Sequence, residues 1–139
     1  GLQIQKLGVV ETYYGRRRRI NMKGLPYSLQ NRGKRQAINF KIQSTSSDII
    51  TQVLVDVEEV IRNDMRGAML ITVHDSLVFE IPKEYIPQIS DVIYKYGTEK
   101  VASMNPWLPV PFKWDIQAGD NYGELKDLQE YLDKVNAKN

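Results

Sequence analysis

His74 and Asp75 stand between two apolar runs, residues 68–73 and 77–81, both rich in β-branched side chains. That spacing predicts a tight, buried hairpin with its polar pair at the tip. A carboxylate held there has two readings. Asp favours turns for purely local reasons, and a surface His needs no function. Against this, a buried hairpin seldom presents a carboxylate without a cation or a partner to compensate it. Magnesium takes one or two protein carboxylates together with waters and phosphate oxygens. In nucleotidyl transfer two such ions clamp the attacking and leaving oxygens, so Asp75 alone is not a complete site. No second carboxylate is marked by its spacing. A metal-dependent phosphohydrolase of the His-Asp kind is excluded, because the chain holds a single His.

A second group of residues suits a polyanion. Arg35, Asn39 and Gln43 recur at i, i+4 and i+8, one polar stripe if the segment is helical. Arg binds phosphate, while Asn and Gln donate and accept, as base edges and sugars in a groove require. The plain alternative is a solvated helix face. Arg16 to Arg19 form a basic run beside Tyr13 and Tyr14, suited to a duplex backbone. Charge follows the same division. Residues 1–42 hold ten basic side chains and one acid, hence +9, whereas residues 43–139 hold nine basic and sixteen acidic, hence −7. Such one-sidedness points the N-terminal third at a polyanion, with a solubilising basic loop as the alternative.

The positioning elements follow from periodicity. Residues 9–20 read as two short β segments joined around Tyr14-Gly15. Residues 21–33 carry Gly24, Pro26, Asn31 and Gly33 and read as loop. Residues 34–42 suggest a short helix. Thr45 and Asp48 then resemble a capping box opening an amphipathic helix over about 46–64, with Ile50, Val53, Leu54, Val57, Val60 and Ile61 at helical spacing. A further helix is expected over about 84–102, with Pro87 in its first turn and Gly97 weakening it. Val110, Phe112, Trp114 and Ile116 alternate with polar residues or Pro, as in a one-sided strand. After a turn at 119–123, Leu125, Leu128, Leu132 and Val135 mark a last short helix. The fold class expected is α+β: an antiparallel sheet with helices packed on one face.

Composition sets outer bounds. With 139 residues, 42% hydrophobic and 9% aromatic, the chain has one domain's worth of globular sequence. No apolar run approaches the roughly 18 residues of a membrane span. Zero cysteines exclude disulfides and thiolate metal sites, and make a reducing cytoplasm the default compartment. Gly1 in place of an initiating Met suggests a fragment.

Three stretches together resemble the C-terminal part of family A DNA polymerases, the bacterial DNA polymerase I type. They are VETYYGRRR at 10–18, RQAINFKIQSTSSDII at 35–50 and LITVHDSLVFEIPKE at 70–84, in the family's order and followed by VPFKWDIQAGDNYG. The resemblance covers about residues 8–123 and implies the following roles. Asp75 matches the palm aspartate that binds the catalytic magnesium ions, and His74 the neighbour near the primer terminus. Arg35, Asn39 and Gln43 match positions on the primer-template duplex, and Arg16 and Arg17 a basic pair facing its backbone. The fold implied is a polymerase palm fragment in three parts. These are a basic duplex-contacting region at 1–43, palm helices and strands with the His-Asp hairpin at 44–123, and a helical tail at 124–139.

The partners implied are primer-template DNA, deoxynucleoside triphosphates and the remaining N-terminal portion of the polymerase. Self-association of the fragment is a further possibility. Ser76 stands where bacterial members usually carry Glu, and Ser44-Thr45-Ser46-Ser47 replaces Gly-Thr-Ala-Ala. These departures and the tail suggest a bacteriophage member. The function expected is template-directed nucleotidyl transfer in DNA replication by the complete enzyme, with this piece inactive alone. A non-catalytic DNA-binding or interaction module derived from a palm is the alternative.

Overall fold

A computed structural model describes residues 8–137. The chain divides into two units, Gly1–Gln52 and Val53–Asn139. In the first, β1 (Val9–Glu11) and β2 (Arg17–Arg19) pair antiparallel, with Val9 opposite Arg19 and Glu11 opposite Arg17. Gly15 turns the hairpin at φ +84°, as expected of the glycine there. The hairpin packs on the helix α1 (Tyr27–Asp64), where Val10, Ile20, Met22 and Ala37 form a buried cluster flanked by Phe40.

α1 corrects the sequence reading. The loop expected over 21–33 holds only to residue 26; its remainder, the short helix and the second capped helix become one helix of 38 residues. It starts directly after Pro26, whose carbonyl accepts from the Leu29 and Gln30 amides. Proline is tolerated at such a start because its missing N–H would have no helical partner. Gly33 sits inside the helix for a packing reason. A Cβ there would lie 2.9 Å from Met22 Sδ and 3.0 Å from Met22 Cγ, so the bare backbone makes room for the methionine. Thr45 therefore caps nothing. It lies mid-helix, and its hydroxyl donates to the Lys41 carbonyl one turn back at 2.6 Å. The 46–64 periodicity is real: Ile49, Val53, Val57 and Ile61 are at most 2% exposed. Arg66, at φ 53°, ends the helix in the left-handed region, and the Gly67 amide donates to the Ile61 carbonyl at 3.0 Å.

The second unit continues with β3 (Ala68–Val73) and β4 (Ser76–Glu80), an antiparallel pair with an irregularity between Met69 and Ile71. This hairpin forms as read but is not buried. Every β3 residue is exposed, Leu70 at 57% and Ile71 at 52%. Nor do the strands join one sheet. Among the described residues there are three separate two-stranded antiparallel sheets, so the fold is α+β without the single expected sheet. The reason is local. β3 and β4 pair only with each other, and an apolar pattern marks a face for covering without supplying the cover.

A helical stretch follows. A 3₁₀ turn (Lys83–Gln88) leads into α2 (Ile89–Ile93), a π-helical segment (Tyr94–Lys100) and α3 (Val101–Met104). Pro87 falls in the 3₁₀ turn, and Gly97 in the π segment. The expected strand at 110–116 keeps its alternation only from residue 111 onward, Val110 being 65% exposed, and it lacks the ladder. Phe112, Trp114 and Ile116 are half-buried while Pro111, Lys113 and Asp115 are exposed, yet strand pairing begins only at β5 (Gln117–Ala118). Side chains hold this segment instead. Trp114 Nε1 donates to the Gly97 carbonyl and Thr98 Oγ1 to the Phe112 carbonyl, both at 2.9 Å. β5 pairs with β6 (Lys126–Asp127), which runs into α4 (Leu128–Asn136), started by the Asp127 carboxylate accepting from the Gln129 amide.

α4 is tied down at Asp120. Its Oδ1 pairs with Lys83 Nζ at 2.8 Å and accepts from the buried Tyr131 hydroxyl at 3.0 Å. The Lys83 hydrogen bond first, and then that of Tyr131, hold the Asp120 carboxyl below the usual carboxylate range. The same bond raises Lys83, and burial raises the Tyr131 phenol.

Two predictions follow from this packing. A Cβ at residue 97 would lie 2.5 Å from Trp114 Nε1, so Gly97→Ala is expected to destabilise the chain by about 1–3 kcal/mol. Denaturant titration followed by tryptophan fluorescence measures the loss. For Asp120, a depressed carboxyl contributes stability above its unfolded pKa and loses it as pH falls through the lower folded one. Raised Lys83 and Tyr131 contribute below their unfolded pKa values and lose that contribution as pH rises through the folded ones. The melting-temperature gap between wild type and Asp120→Asn should therefore be constant near neutrality and shrink at both the acid and alkaline ends.

Candidate nucleic-acid interface and metal-binding turn

In the first unit, the face that α1 presents to the hairpin is set by residues 41, 44, 45 and 48. Asp48 is its centre. Arg16 Nη2 pairs with Asp48 Oδ1 at 2.6 Å and also donates to the Ser44 carbonyl at 2.8 Å. The buried Thr12 hydroxyl donates to Asp48 Oδ2 at 3.3 Å and accepts from the Arg16 amide at 3.1 Å. The Tyr13 amide donates to Thr45 Oγ1 at 3.5 Å, and Lys41 Nζ lies 4.5 Å from the centre of the Tyr13 ring. At 100° per residue, this face lies on the far side of the helix from Arg35, Asn39 and Gln43. Those three are exposed, as the stripe reading requires. Exposed with them are Ile38 at 59% and Ile42 at 64%, an apolar ridge beside the polar one.

The basic run is less uniform than its sequence. Arg16 points into the contact with α1. Arg17 Nε reaches Glu11 Oε2 across the ladder at 2.5 Å, with 73% of its side chain exposed. Arg18 stacks its guanidinium 5.8 Å from the Phe40 ring centre. Sequence reasoning missed the Thr12–Asp48 and Tyr13–Thr45 contacts altogether. Reading Thr45 and Asp48 as a cap concealed them. The available signal was an acid at a helical position facing the hairpin, once a single long helix is assumed.

In the second unit, Val73 pairs with Ser76, which leaves His74 and Asp75 as the two residues of the turn. His74 has φ 55° and Asp75 does not share the positive sign, so only the first central position is left-handed. Glycine is the favoured residue at such a position, and His occupies it at a conformational cost. Both residues and Ser76 are exposed. Among the described residues no group of three or more His, Cys, Asp or Glu could hold a metal ion. Asp75 thus offers one exposed carboxylate on a two-residue turn. A magnesium ion accepts one protein carboxylate with phosphate oxygens and waters, so the residue fits as one ligand among several.

Residues 2–124 match the family model described as DNA polymerase family A. The chain belongs to DNA polymerase family A. Among curated relatives, this family A chain is 27% identical over 139 residues to the DNA polymerase of Bacillus phage SP01, covering 92% of the chain and 15% of the relative. It is 28% identical over 126 residues to DNA polymerase I of Bacillus subtilis, covering 89% of the chain and 14% of the relative. A similar solved structure is the POL domain of Pol1 from M. smegmatis in complex with DNA primer-template and dNTP. It matches with a TM-score of 0.64 at 26% identity, over 80% of this chain and 19% of that one. The chain therefore spans only a small part of its relatives' length. The family match ends at 124, so β6 and α4 lie wholly beyond it.

The left-handed turn residue yields a test. β-Branched side chains tolerate φ near +55° poorly, so His74→Val should cost the chain about 1–2 kcal/mol, and His74→Gly should not. Thermal melts of the two variants against wild type measure the difference.

Proposed function

We propose that this chain is the C-terminal palm portion of a DNA-directed DNA polymerase and supplies half of its catalytic centre. The observation that carries the reading is the family match over residues 2–124, within which His74 and Asp75 form an exposed two-residue turn with His74 in the left-handed region. In this reading residues 1–43 meet the primer-template duplex, residues 44–123 form the palm, and 124–139 are an added tail.

Asp75 would hold one of the magnesium ions used in nucleotidyl transfer. Bound there, magnesium neutralises phosphate charge and stabilises the displacement at the α-phosphorus of the incoming deoxynucleotide. The protein's own contribution is position. The His74-Asp75 turn fixes where the carboxylate stands, and His74 lies beside the primer terminus. Arg35, Asn39 and Gln43 line the duplex along one exposed face of α1, and Arg17 faces its backbone. The rest of the polymerase domain would supply the other carboxylate and the nucleotide-binding groups. The phage SP01 polymerase among the relatives is compatible with a phage source, and the complete enzyme would act on DNA in a bacterial cytoplasm, that of the host if phage-encoded.

The experiment is primer extension with this chain joined to, or mixed with, the remainder of a family A polymerase domain. Alone, the chain should extend nothing. In the completed enzyme, Asp75→Asn should lower incorporation by at least about 10²–10³-fold while leaving duplex affinity near wild type. Near-normal turnover of the variant refutes the assignment. Duplex binding without any restored turnover would favour a DNA-binding module instead.

A further inference from the structure

We propose that Arg16 is a positioning residue, which holds the duplex-facing side of α1 through Asp48 and makes no phosphate contact of its own. The inference rests on the duplex-binding reading above and changes which arginine of the basic run meets DNA. Its basis is the hydrogen-bond geometry of Arg16. One guanidinium nitrogen, Nη2, is shared between the Asp48 carboxylate at 2.6 Å and the Ser44 carbonyl at 2.8 Å. The second Asp48 oxygen takes the Thr12 hydroxyl, and that hydroxyl takes the Arg16 amide. The loop closes on itself, since the Thr12 amide donates to the Arg16 carbonyl at 2.9 Å and the Gly15 amide to the Thr12 carbonyl at 3.1 Å. Thr12, Tyr13, Gly15 and Arg16 are thereby tied to a neighbour in the turn or to α1.

The alternative donors are placed differently. Arg17 lies 73% exposed on the outer side of the ladder, with only a surface pair to Glu11 that a phosphate can replace. Asp48, in contrast, has 22% of its side chain exposed, so releasing Arg16 would leave a half-buried carboxylate with one weak donor. The hairpin seats on the side of α1 away from Arg35, Asn39 and Gln43. Loss of its seat would loosen the residues 41–48 turn where Gln43 resides, and with it the alignment of the stripe.

Duplex titrations of the full chain by fluorescence anisotropy at several salt concentrations separate the two kinds of residue. Arg17→Ala should reduce the salt slope by about 0.9 per lost phosphate contact. Arg16→Ala should weaken binding about fivefold with the slope unchanged. Asp48→Asn is decisive, because it makes the chain more positive. A purely electrostatic surface would bind DNA more tightly, whereas loss of the seat should weaken binding as Arg16→Ala does. The two changes combined should cost no more than either alone. Exchanging the pair, Arg16→Asp with Asp48→Arg, should recover affinity at unchanged net charge. Arg16→Lys should recover it only in part, since an ammonium lacks the guanidinium's planar fork.

A slope lowered by Arg16→Ala, or tighter binding by Asp48→Asn, overturns the inference. If wild type binds no duplex at any salt, the duplex reading fails. Thermal melts of the same variants then judge the seat: additive losses from Arg16→Ala and Asp48→Asn would overturn it, and non-additive losses with recovery in the exchange would support it.

Discussion

The first unit depends on one carboxylate. Asp48 joins segments 36 residues apart in sequence, because its two oxygens divide between Thr12 and Arg16. A carboxylate on a half-exposed helix face would contribute little as a simple ion pair with a surface arginine. It counts for more here because Thr12 is 4% exposed and its hydroxyl both donates to Asp48 and accepts from the Arg16 amide. Buried hydroxyls without partners are costly, so the hairpin turn is specified by polar satisfaction as much as by the apolar cluster beneath it.

This arrangement gives α1 two unlike sides. Toward the hairpin and Met22 it shows Gly33 and Ala37, which admit close approach, together with Phe40, Thr45 and Asp48. Away from it lie Arg35, Ile38, Asn39, Ile42 and Gln43, all exposed. The stripe was legible from i, i+4 spacing alone, since that spacing persists whatever the helix's length. The length was not legible. Pro26, Gly33 and the run Ser44-Thr45-Ser46-Ser47 each lower local helix preference, and only tertiary packing of the hairpin offsets them. Propensity is a weak guide where a long-range contact decides. Asp48 was misread for the same reason, as a helix-starting residue when it is a docking one.

The second unit shows what alternation does and does not specify. Phe112, Trp114 and Ile116 point one way, as their spacing requires, and the burial pattern obeys it. The ladder is missing because the Phe112 carbonyl takes Thr98 Oγ1 and the Gly97 carbonyl takes Trp114 Nε1, so the segment is fastened to the helical stretch by side chains. Gly97, which sequence reasoning marks as a weakness in a helix, is the position that lets the indole approach. Its place in a π-helical turn fits the tendency of such turns to occur where local packing departs from the regular helix. In β3, hydropathy correctly indicated a strand and incorrectly indicated burial. A run of apolar residues fixes which surface avoids water, and says nothing of whether the same chain covers it.

The two readings of Asp75 differ in what the turn is for. If it were only a turn, glycine at position 74 would be the cheaper choice, because the left-handed conformation there penalises a side chain. His74 stands there at that cost, and strained residues of this kind cluster where geometry serves a site. Yet one carboxylate is a poor trap for a strongly hydrated magnesium ion, which gives up its waters reluctantly. Under the proposed function this weakness is useful. With the other carboxylate supplied by the rest of the polymerase domain, metal would be held firmly only when nucleotide phosphates add their oxygens, so the charge that supports transfer would assemble with the substrate.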